Sequence, residues 1–174
     1  MDKETLRVNA KNLRRTLDIT ILSMQILQNI LALEEYKRAK NVLLFYPLEN
    51  ELNLLALCNE KKNFFLPKVA GDKLLVCPYD CNTQLEKSEL KIYEPCSTPQ
   101  NSSIIDFAII PCLMADRTKN RLGYGKGFYD RFIPLLSPEC IKIAPVPFSL
   151  IVDTLPTEEH DCKVDLIVSE KSVF

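Results

Sequence analysis

The sequence predicts an α/β protein: a three-layer, Rossmann-like open sheet that is mostly parallel and flanked by helices, with a Gly-rich loop. Short apolar runs with the length of buried strands alternate with segments of helical periodicity. Its length of 174 residues suits one domain with a substantial core, so we expect residues 1–174 to form a single domain. Hydrophobic residues make up 47% and charged residues 26%, as in ordinary globular proteins.

The first quarter of the chain predicts two helices and a strand. A helix is expected from Lys3 to about Leu17, where cations recur every three or four residues. A second is expected from Thr20 to Lys40, where apolar residues recur at helical spacing. The continuous apolar run Val42 to Tyr46 is typical of a strand buried on both faces, and Pro47 is expected to end it.

Glu51 lies where this strand gives way to a further predicted helix, an amphipathic segment through Leu52, Leu55 and Cys58. Ligands of open α/β sheets bind at the C-terminal ends of the strands. Glu51 is therefore a candidate ligand-binding residue. The alternative is an ordinary first-turn carboxylate that interacts with the helix dipole.

The middle of the chain predicts a hairpin and then irregular structure. Phe64 to Leu66 is expected to be a short strand that Pro67 ends. Gly71-Asp72 predicts a turn, and Leu74 to Cys77 the next strand. The polar stretch from Asp80 to Lys91 predicts a loop with at most one helical turn.

The last part of the chain predicts three strands and one helix. Phe107 to Pro111 is strongly apolar and is expected to be a central strand. A helix is expected from Phe128 to Leu136, and strands from Cys140 to Val146 and from Val164 to Val168. The polar segment Leu155 to Asp161 predicts a connection between these strands.

Three of the chain's four glycines, Gly123, Gly125 and Gly127, lie within five residues. Glycines at alternate positions allow several backbone N–H groups to converge on one anion. Lys126 lies inside this segment and Arg121 precedes it. We therefore predict a Gly-rich phosphate loop, and the alternative is a purely structural turn between a strand and a helix. The pattern matches neither a Walker A loop nor a dinucleotide-binding fingerprint.

Asp130 follows the loop and supplies a hard oxygen of the kind that Mg²⁺ prefers. Four cations share one face of the first predicted helix, namely Lys3, Arg7, Lys11 and Arg14. Such a stripe is usually a solvated face, and we favour that interpretation on the stripe alone. The functional alternative is that these cations bind the same phosphates as the loop.

Composition excludes several classes of function. The net charge of −1 and pI of about 5.9 disfavour nonspecific binding to nucleic acid. The N-terminus lacks the apolar core of a signal peptide, and no apolar run reaches membrane-spanning length. The odd number of cysteines, seven, without a C-x-x-C pair predicts free thiols in a reducing cytoplasm. We expect a cytoplasmic monomer. The single histidine, His160, argues against a multi-histidine metal centre.

Several motifs together resemble the 5-formyltetrahydrofolate cyclo-ligase family, also called methenyltetrahydrofolate synthetase. The most specific are Asn-Arg-Leu-Gly-x-Gly-Lys-Gly-x-Tyr-Asp at residues 120–130 and Leu-Pro-x-Glu-x-His-Asp at residues 155–161. The chain also has Lys-x-x-Leu-Arg at residues 3–7, a Glu after a short strand at Glu51, Glu94-Pro95, and an apolar strand that ends at Pro111. The resemblance extends from Lys3 to about Glu170.

The resemblance implies a reaction: 5-formyltetrahydrofolate and ATP give 5,10-methenyltetrahydrofolate, ADP and phosphate, with Mg²⁺. Phosphorylation turns the formyl oxygen of a poor electrophile into a leaving group, and N10 of the same folate then attacks the activated carbon. Such an enzyme must hold two substrates in line and neutralise the charge of the transferred phosphoryl group.

The resemblance also implies roles for individual residues. Catalytic roles are implied for Lys126, Arg121 and Tyr129. The implied ATP-binding residues are Lys3, Arg7, Arg121, Leu122, Gly123, Tyr124, Gly125, Lys126, Gly127, Phe128 and Tyr129. The implied folate-binding residues are Arg7, Leu48, Glu51, Tyr124, Gly125, Lys126, Gly127 and Phe128. Asp130 and Asp161 are the implied Mg²⁺ ligands, although a turn or N-cap role would otherwise be preferred for Asp161.

The sequence departs from the family pattern at Lys119, where a Gly usually precedes Asn-Arg, and at residues 144–147. Two alternative functions are a phosphoryl-transfer enzyme for another substrate and a binding protein without turnover. Glu51 argues against the first because it suits a pterin rather than ATP. The presence of Lys126, Asp130 and Asp161 argues against the second.

Overall fold

The computed structural model describes residues 1–89 and 91–174. The helices are α1 (Lys3–Arg14), α2 (Ile19–Ala32), α3 (Glu34–Arg38) and α4 (Phe128–Phe132). The strands are β1 (Asn41–Leu43), β2 (Asn63–Ala70), β3 (Lys73–Tyr79), β4 (Leu85–Lys87), β5 (Tyr93–Pro95), β6 (Phe107–Ile109), β7 (Met114–Asp116), β8 (Arg121–Leu122), β9 (Ile141–Pro145), β10 (Ile151–Val152) and β11 (Leu166–Val168). Short 3₁₀ turns span Leu55–Asn59, Ser102–Ile104, Ile133–Leu135 and Phe148–Leu150.

The main sheet has six strands in the order β11-β9-β6-β1-β2-β3. The pairs from β11 to β2 are parallel, and β2 pairs with β3 as an antiparallel hairpin. The predicted open, mostly parallel sheet is confirmed, and β6 lies inside it with strands on both sides. A smaller sheet, β10-β7-β8, and the separate hairpin β4-β5 were not predicted.

Alternate residues of the main sheet pack into two cores, one on each face. In β1, Val42 belongs to the core that contains Ile26 and Ile30 of α2, whereas Leu43 belongs to the core that contains Ala10 of α1 and Phe132 of α4. Helices therefore cover both faces, which gives the predicted three layers. The continuous apolar runs are explained because both faces of these strands are buried.

Two predicted helices are shorter than expected, and a third did not form. The helix expected from Thr20 to Lys40 is broken at Leu33, whose ψ of 130° places it in the extended region. The segment after Glu51 forms a turn and the 3₁₀ turn Leu55–Asn59 instead of an amphipathic helix. The helix that starts at Phe128 ends at Phe132, because Pro134 lies in the 3₁₀ turn that follows it.

Several strand predictions were also wrong. The strand expected from Val42 to Tyr46, with Pro47 at its end, is β1 and spans only Asn41–Leu43. Pro67 does not end its strand: β2 continues to Ala70, and Pro67 lies opposite Val76 of β3. Pro67 is tolerated there because β1, the parallel neighbour of β2, already ends at Leu43, opposite Phe65. At Pro67 no strand on that side requires a backbone N–H from β2. The region expected to be a loop from Asp80 to Lys91 contains β4, which pairs with β5.

Candidate active site

The glycine loop, residues 123–127, connects β8 to α4. Gly125 and Gly127 have φ values of +94° and +66°, which L-residues rarely adopt. A Cβ atom on Gly125 would lie 3.3 Å from Cζ of Arg7. Glycine is thus required at this position both for the backbone conformation and for the close approach of the Arg7 guanidinium.

Asp116 holds the turn that precedes the glycine loop. Its carboxylate accepts hydrogen bonds from Thr118, from the backbone and side chain of Asn120, and from the N–H of Leu155. Lys119 in this turn has a φ of +72°. The family resemblance implies Gly at this position, and a left-handed backbone is the conformation that Gly adopts most readily.

A polar cavity of about 430 Å³ lies on one side of the glycine loop. It is lined by Lys3, Arg7, Arg121, Leu122, Gly123, Gly125, Lys126, Gly127, Asp130, Arg131, Glu158, His160 and Asp161. The cations of α1, the loop and the acidic segment near residue 160 therefore meet in one place, as a site for a phosphate group and a metal ion requires.

A mostly apolar cavity of about 260 Å³ adjoins the polar cavity at the glycine loop. It is lined by Phe45, Tyr46, Leu48, Glu51, Pro67, Val69, Leu74, Ile92, Glu94, Pro111, Arg121, Tyr124, Lys126, Gly127, Phe128, Tyr129 and Asp130. Arg121, Lys126, Gly127 and Asp130 line both cavities. A small flat ligand in the apolar cavity and an anion in the polar cavity would meet at these four residues.

The two N-terminal cations of the predicted stripe point into the polar cavity. Lys3 Nζ lies 2.6 Å from Asp161 Oδ2 and 3.3 Å from Glu158 Oε2. Arg7 Nε donates to the carbonyl of Gly123 at 3.0 Å. The interpretation of the whole stripe as a solvated face was therefore wrong, and of its members Lys11 is the exposed one.

Arg14, the last cation of the stripe, is buried, with 3% of its surface exposed. Its Nη2 donates to the carbonyls of Cys112 and Leu113, just beyond β6. Nε and Nη1 have no hydrogen-bond partner among the described residues. Arg14 thus attaches α1 to the end of the central strand and places a positive charge beneath the site.

Asp130 of α4 is paired with Arg121 of β8, so the pair joins the two ends of the glycine loop. Arg121 Nη2 lies 2.7 Å from Asp130 Oδ1, and 3% of the Arg121 side chain is exposed. The backbone N–H of Cys162 donates to the same oxygen at 3.2 Å. Nε of Arg121 is buried without a partner within the described part of the chain, so the guanidinium retains a donor that the protein does not use.

Asp161 belongs to a group of possible metal ligands that differs from the implied pair. One ligand atom each from Glu158, His160 and Asp161 lies within 4.8 Å of the others, and Asp130 is outside this group. Burial opposes ionisation of Asp161, but the hydrogen bonds from Lys3 and from the Glu158 N–H outweigh it and hold the pKa below its usual value. Asp161 is therefore a carboxylate at neutral pH.

Glu51 is buried in the wall of the apolar cavity, with 6% of its surface exposed. Its Oε2 accepts from the Leu48 N–H at 2.9 Å, and its Oε1 accepts from the Tyr124 hydroxyl at 2.7 Å. Burial raises its pKa, while these two donors and the charge of Arg14 lower it. A buried carboxylate in an apolar pocket is a specific receptor for N–H groups of a ligand.

The aromatic residues of the loop and α4 form the floor of the apolar cavity. The guanidinium carbon of Arg121 lies 6.0 Å from the ring centre of Tyr129. Burial raises the pKa of the Tyr129 hydroxyl, which therefore stays protonated. Lys126 is exposed at the junction of the two cavities.

Sequence reasoning assigned no role to Glu94, which also lines the apolar cavity and is 4% exposed. Its Oε1 accepts from the Val69 N–H at 3.2 Å and joins hairpin β4-β5 to β2. The motif Glu94-Pro95 was the signal that could have identified it. The residues predicted for folate divide between the cavities: Arg7 and Gly125 line the polar one, and the others line the apolar one.

A mostly parallel sheet with a cation-rich polar cavity and an adjoining apolar cavity fits the class of enzymes that bring an anionic group to a second substrate. The chain belongs to the 5-formyltetrahydrofolate cyclo-ligase family, whose model matches residues 2–170. The reaction of this family is the ATP- and Mg²⁺-dependent cyclisation of 5-formyltetrahydrofolate. The predicted family and the predicted class of enzyme are therefore confirmed.

Individual relatives agree with this family. The chain is 31% identical to the 5-formyltetrahydrofolate cyclo-ligase of Haemophilus influenzae over 162 residues, which cover 81% of this chain and 82% of that protein. It is similar to the NMR structure of Aquifex aeolicus 5,10-methenyltetrahydrofolate synthetase, with a TM-score of 0.88, 30% identity, and coverage of 99% and 92% of the two chains. A synthetase from Mycoplasma pneumoniae, at 24% identity and a TM-score of 0.79 over 98% and 99% of the chains, has the same fold.

Other expectations concern the membrane, the cellular location and the assembly of the chain. Among the described residues, no helix combines the length and apolar character that crossing a bilayer requires. The single domain over residues 1–174, the cytoplasmic location, the monomeric state and the lack of nucleic-acid binding stay predictions. The roles of the individual site residues also stay predictions, and we develop them below.

Proposed function

We propose that the polar cavity binds the triphosphate of ATP and that the apolar cavity binds the pterin of 5-formyltetrahydrofolate. One observation carries this proposal: Arg121, Lys126, Gly127 and Asp130 line both cavities. Phosphoryl transfer needs the donor and the acceptor in line and in contact. The glycine loop is the place where a γ-phosphate and a formyl oxygen could meet.

The reaction proceeds in two steps. The formyl oxygen attacks the γ-phosphorus and ADP leaves, which converts a poor leaving oxygen into a phosphate ester. N10 then attacks the activated carbon, the five-membered ring closes, phosphate departs and N10 loses its proton. The protein supplies no covalent nucleophile in this scheme, so its task is to orient the substrates and to stabilise charge.

Lys126 and Arg121 stabilise the transferred group. Lys126 is an exposed cation with freedom to follow the phosphate, whereas Arg121 is buried and fixed by Asp130. The unused Nε–H of Arg121 suits an additional oxygen. Tyr129 lies beneath Arg121 and limits access of water from the apolar side. Lys3 and Arg7 bind the other phosphates from α1.

The acidic residues of the polar cavity fit Mg²⁺. Asp130 and Asp161 line the cavity that holds the phosphate-binding cations, and Glu158 adds a carboxylate within reach of Asp161. Hard oxygen ligands beside a phosphate site are the set that Mg²⁺ prefers. We assign Asp130 and Asp161 as its protein ligands, and bound Mg²⁺ supplies neutralisation of phosphate charge.

Glu51 binds the pterin. The cyclic amidine of a pterin presents two neighbouring N–H donors, which match the two oxygens of a carboxylate. Each Glu51 oxygen accepts one hydrogen bond from the protein and has capacity for another. Leu48 and Phe128 add apolar contact for the ring.

The test is the absorbance of the methenyl product when purified protein is mixed with 5-formyltetrahydrofolate, Mg²⁺ and ATP, beside a sample without ATP. We expect the band to grow only with ATP and to be lost in Lys126→Met. Lys61→Met, which changes an exposed lysine outside both cavities, is the matched control. A flat trace from protein that still binds ATP would refute the pterin assignment and with it the role of Glu51.

A further inference from the structure

Tyr124 lines the apolar cavity, and its two neighbours in the glycine loop, Gly123 and Gly125, line the polar cavity. Its hydroxyl donates to Glu51 Oε1 at 2.7 Å, across 73 positions of the sequence. The backbone of one residue is therefore part of the glycine loop, and its side chain holds the buried carboxylate.

This hydrogen bond determines the orientation of Glu51. The carboxylate is fixed from two sides, by the Leu48 N–H on Oε2 and by Tyr124 on Oε1. Two donors on different oxygens define both the position and the rotation of the carboxylate plane. Without the hydroxyl, Oε1 would lose its donor while it stayed buried, and the group would rotate or take up a proton.

We propose that Tyr124 is a positioning residue that holds Glu51 for the pterin and couples the conformation of the glycine loop to the affinity for folate. The inference rests on the proposed function, because it takes Glu51 as the pterin ligand and the loop as the phosphate site. A nucleotide that orders the loop also orders Tyr124, and through it Glu51. ATP and folate should then bind cooperatively, and reciprocally.

The electrostatic surroundings of Glu51 set the expected pH dependence. Arg14 of α1 and Tyr124 of the loop act on the pKa of Glu51. Glu51 in turn raises the pKa of Cys112, beyond β6, and of Tyr129 in α4. Burial raises the pKa of Glu51, and the Tyr124 hydroxyl opposes that rise. Burial and the nearby Glu51 also raise the pKa of Tyr124, so its hydroxyl keeps the proton that it donates.

The test compares Tyr124→Phe with wild type by calorimetric titration of 5-formyltetrahydrofolate. Each protein is titrated twice, once without nucleotide and once in the presence of a non-hydrolysable ATP analogue and Mg²⁺. Loss of a hydrogen bond to a buried charge should weaken folate binding about tenfold. The affinity gain that the analogue gives in wild type should largely disappear. The acid limb of folate binding should move to higher pH, because removal of the hydroxyl raises the pKa of Glu51 further.

Two further variants keep the test specific. Tyr36→Phe removes another buried hydroxyl, one without a hydrogen-bond partner among the described residues and outside both cavities, and should change none of the three readouts. Glu51→Gln weakens binding by itself, and adding Tyr124→Phe to it should cost much less than the tenfold loss seen in the wild-type background.

The possible results distinguish an error in this inference from an error in the proposed function. If wild type forms the methenyl product but Tyr124→Phe keeps normal affinity, coupling and pH limb, the inference is wrong and the proposed function stands. Additive losses in the double variant would also overturn the link between the two residues. If wild type does not bind folate, both the proposed function and the inference fail.

Discussion

Replacement of Gly125 by alanine tests whether the glycine loop is built around Arg7. The residue has a φ of +94°, and a Cβ would lie 3.3 Å from Arg7 Cζ and 3.4 Å from Nε. The same Nε donates to the carbonyl of Gly123 at 3.0 Å. The new methyl group would therefore strain the backbone and displace a cation that we assign to phosphate binding.

The magnitude follows from these two contributions. An L-residue held at such a φ costs on the order of 1–3 kcal/mol. Displacement of the guanidinium by a few tenths of an ångström weakens one hydrogen bond, which contributes about 1 kcal/mol. We expect Gly125→Ala to lower the free energy of unfolding by about 2 kcal/mol and the melting temperature by roughly 4–8 °C. The kcat/KM for ATP should fall about tenfold because the position of Arg7 changes.

Gly71→Ala is the matched control. Gly71 lies in the turn between β2 and β3 with a φ of +63°, and a Cβ there would meet nothing within 4 Å. This variant should lose stability through backbone strain but keep the kcat/KM for ATP. Thermal unfolding and steady-state kinetics of both variants make the comparison. If Gly125→Ala lowers the kcat/KM for ATP no more than Gly71→Ala does, packing against Arg7 is not the reason for glycine.

Three further changes test charge and conformation at the site. Asp130→Asn should lower the free energy of unfolding by about 2 kcal/mol, because the buried Arg121 guanidinium loses its ionic partner. The variant should also lose Mg²⁺-dependent turnover, and normal formation of the methenyl absorbance band would refute the metal role of Asp130. Lys119→Gly should raise the free energy of unfolding in urea by about 1 kcal/mol by relieving a φ of +72°, and no gain would contradict the argument from strain. Because the pKa of Asp161 is lowered in the folded protein, Asp161 stabilises the fold above its unfolded pKa of about 4, and this stability is lost as the pH falls through the lower folded pKa. Lys3→Met should remove this acid-range contribution from the free energy of unfolding measured in urea at several pH values. If the pH dependence is unchanged in the variant, the ion pair with Lys3 is not its cause.

The sheet could be predicted because its strands are buried on both faces. Phe107 packs in one core and Ala108 in the other, so the run has no polar position and differs from the surrounding sequence. The break of the second helix could not be predicted in this way. Residues on both sides of Leu33 favour helix, and tertiary contact decides: Tyr36 packs edge-on against Phe107, with ring centres 5.4 Å apart.

The hairpin β4-β5 shows the same limit. Its strands have no alternating apolar pattern, and contacts with distant residues hold it in place. Lys68 of β2 forms an ion pair with Glu86 at 2.9 Å, and Glu94 accepts from the N–H of Val69. A stretch stabilised by side chains elsewhere in the chain gives only a weak local signal, so the polar sequence there predicted a loop.

The sequence likewise indicated some residues of the candidate site and not others. The glycine loop and Asp130 are neighbours in the sequence, so their composition alone indicated a site for phosphate and metal. Lys3 and Asp161 are 158 positions apart, and only the family resemblance related them before the structure placed them 2.6 Å apart. Arg14 could not be distinguished from Lys11 by spacing, since the difference is what each meets when α1 packs on the sheet.

The ion pairs of the polar cavity join the residues that we assign to phosphate with those that we assign to metal. Lys3 is paired with Asp161, and Arg121 with Asp130. On these assignments, phosphate bound by Lys3 or Mg²⁺ bound by Asp161 would break the same pair, so either ligand alone would leave one partner without its counter-charge. If both were bound together, each cation would gain a phosphate oxygen and each carboxylate a metal ion, and the charge of the site would stay balanced. Mg²⁺ and ATP would therefore bind more favourably as one unit than either would alone, and the buried Arg121 would exchange Asp130 for a phosphate oxygen.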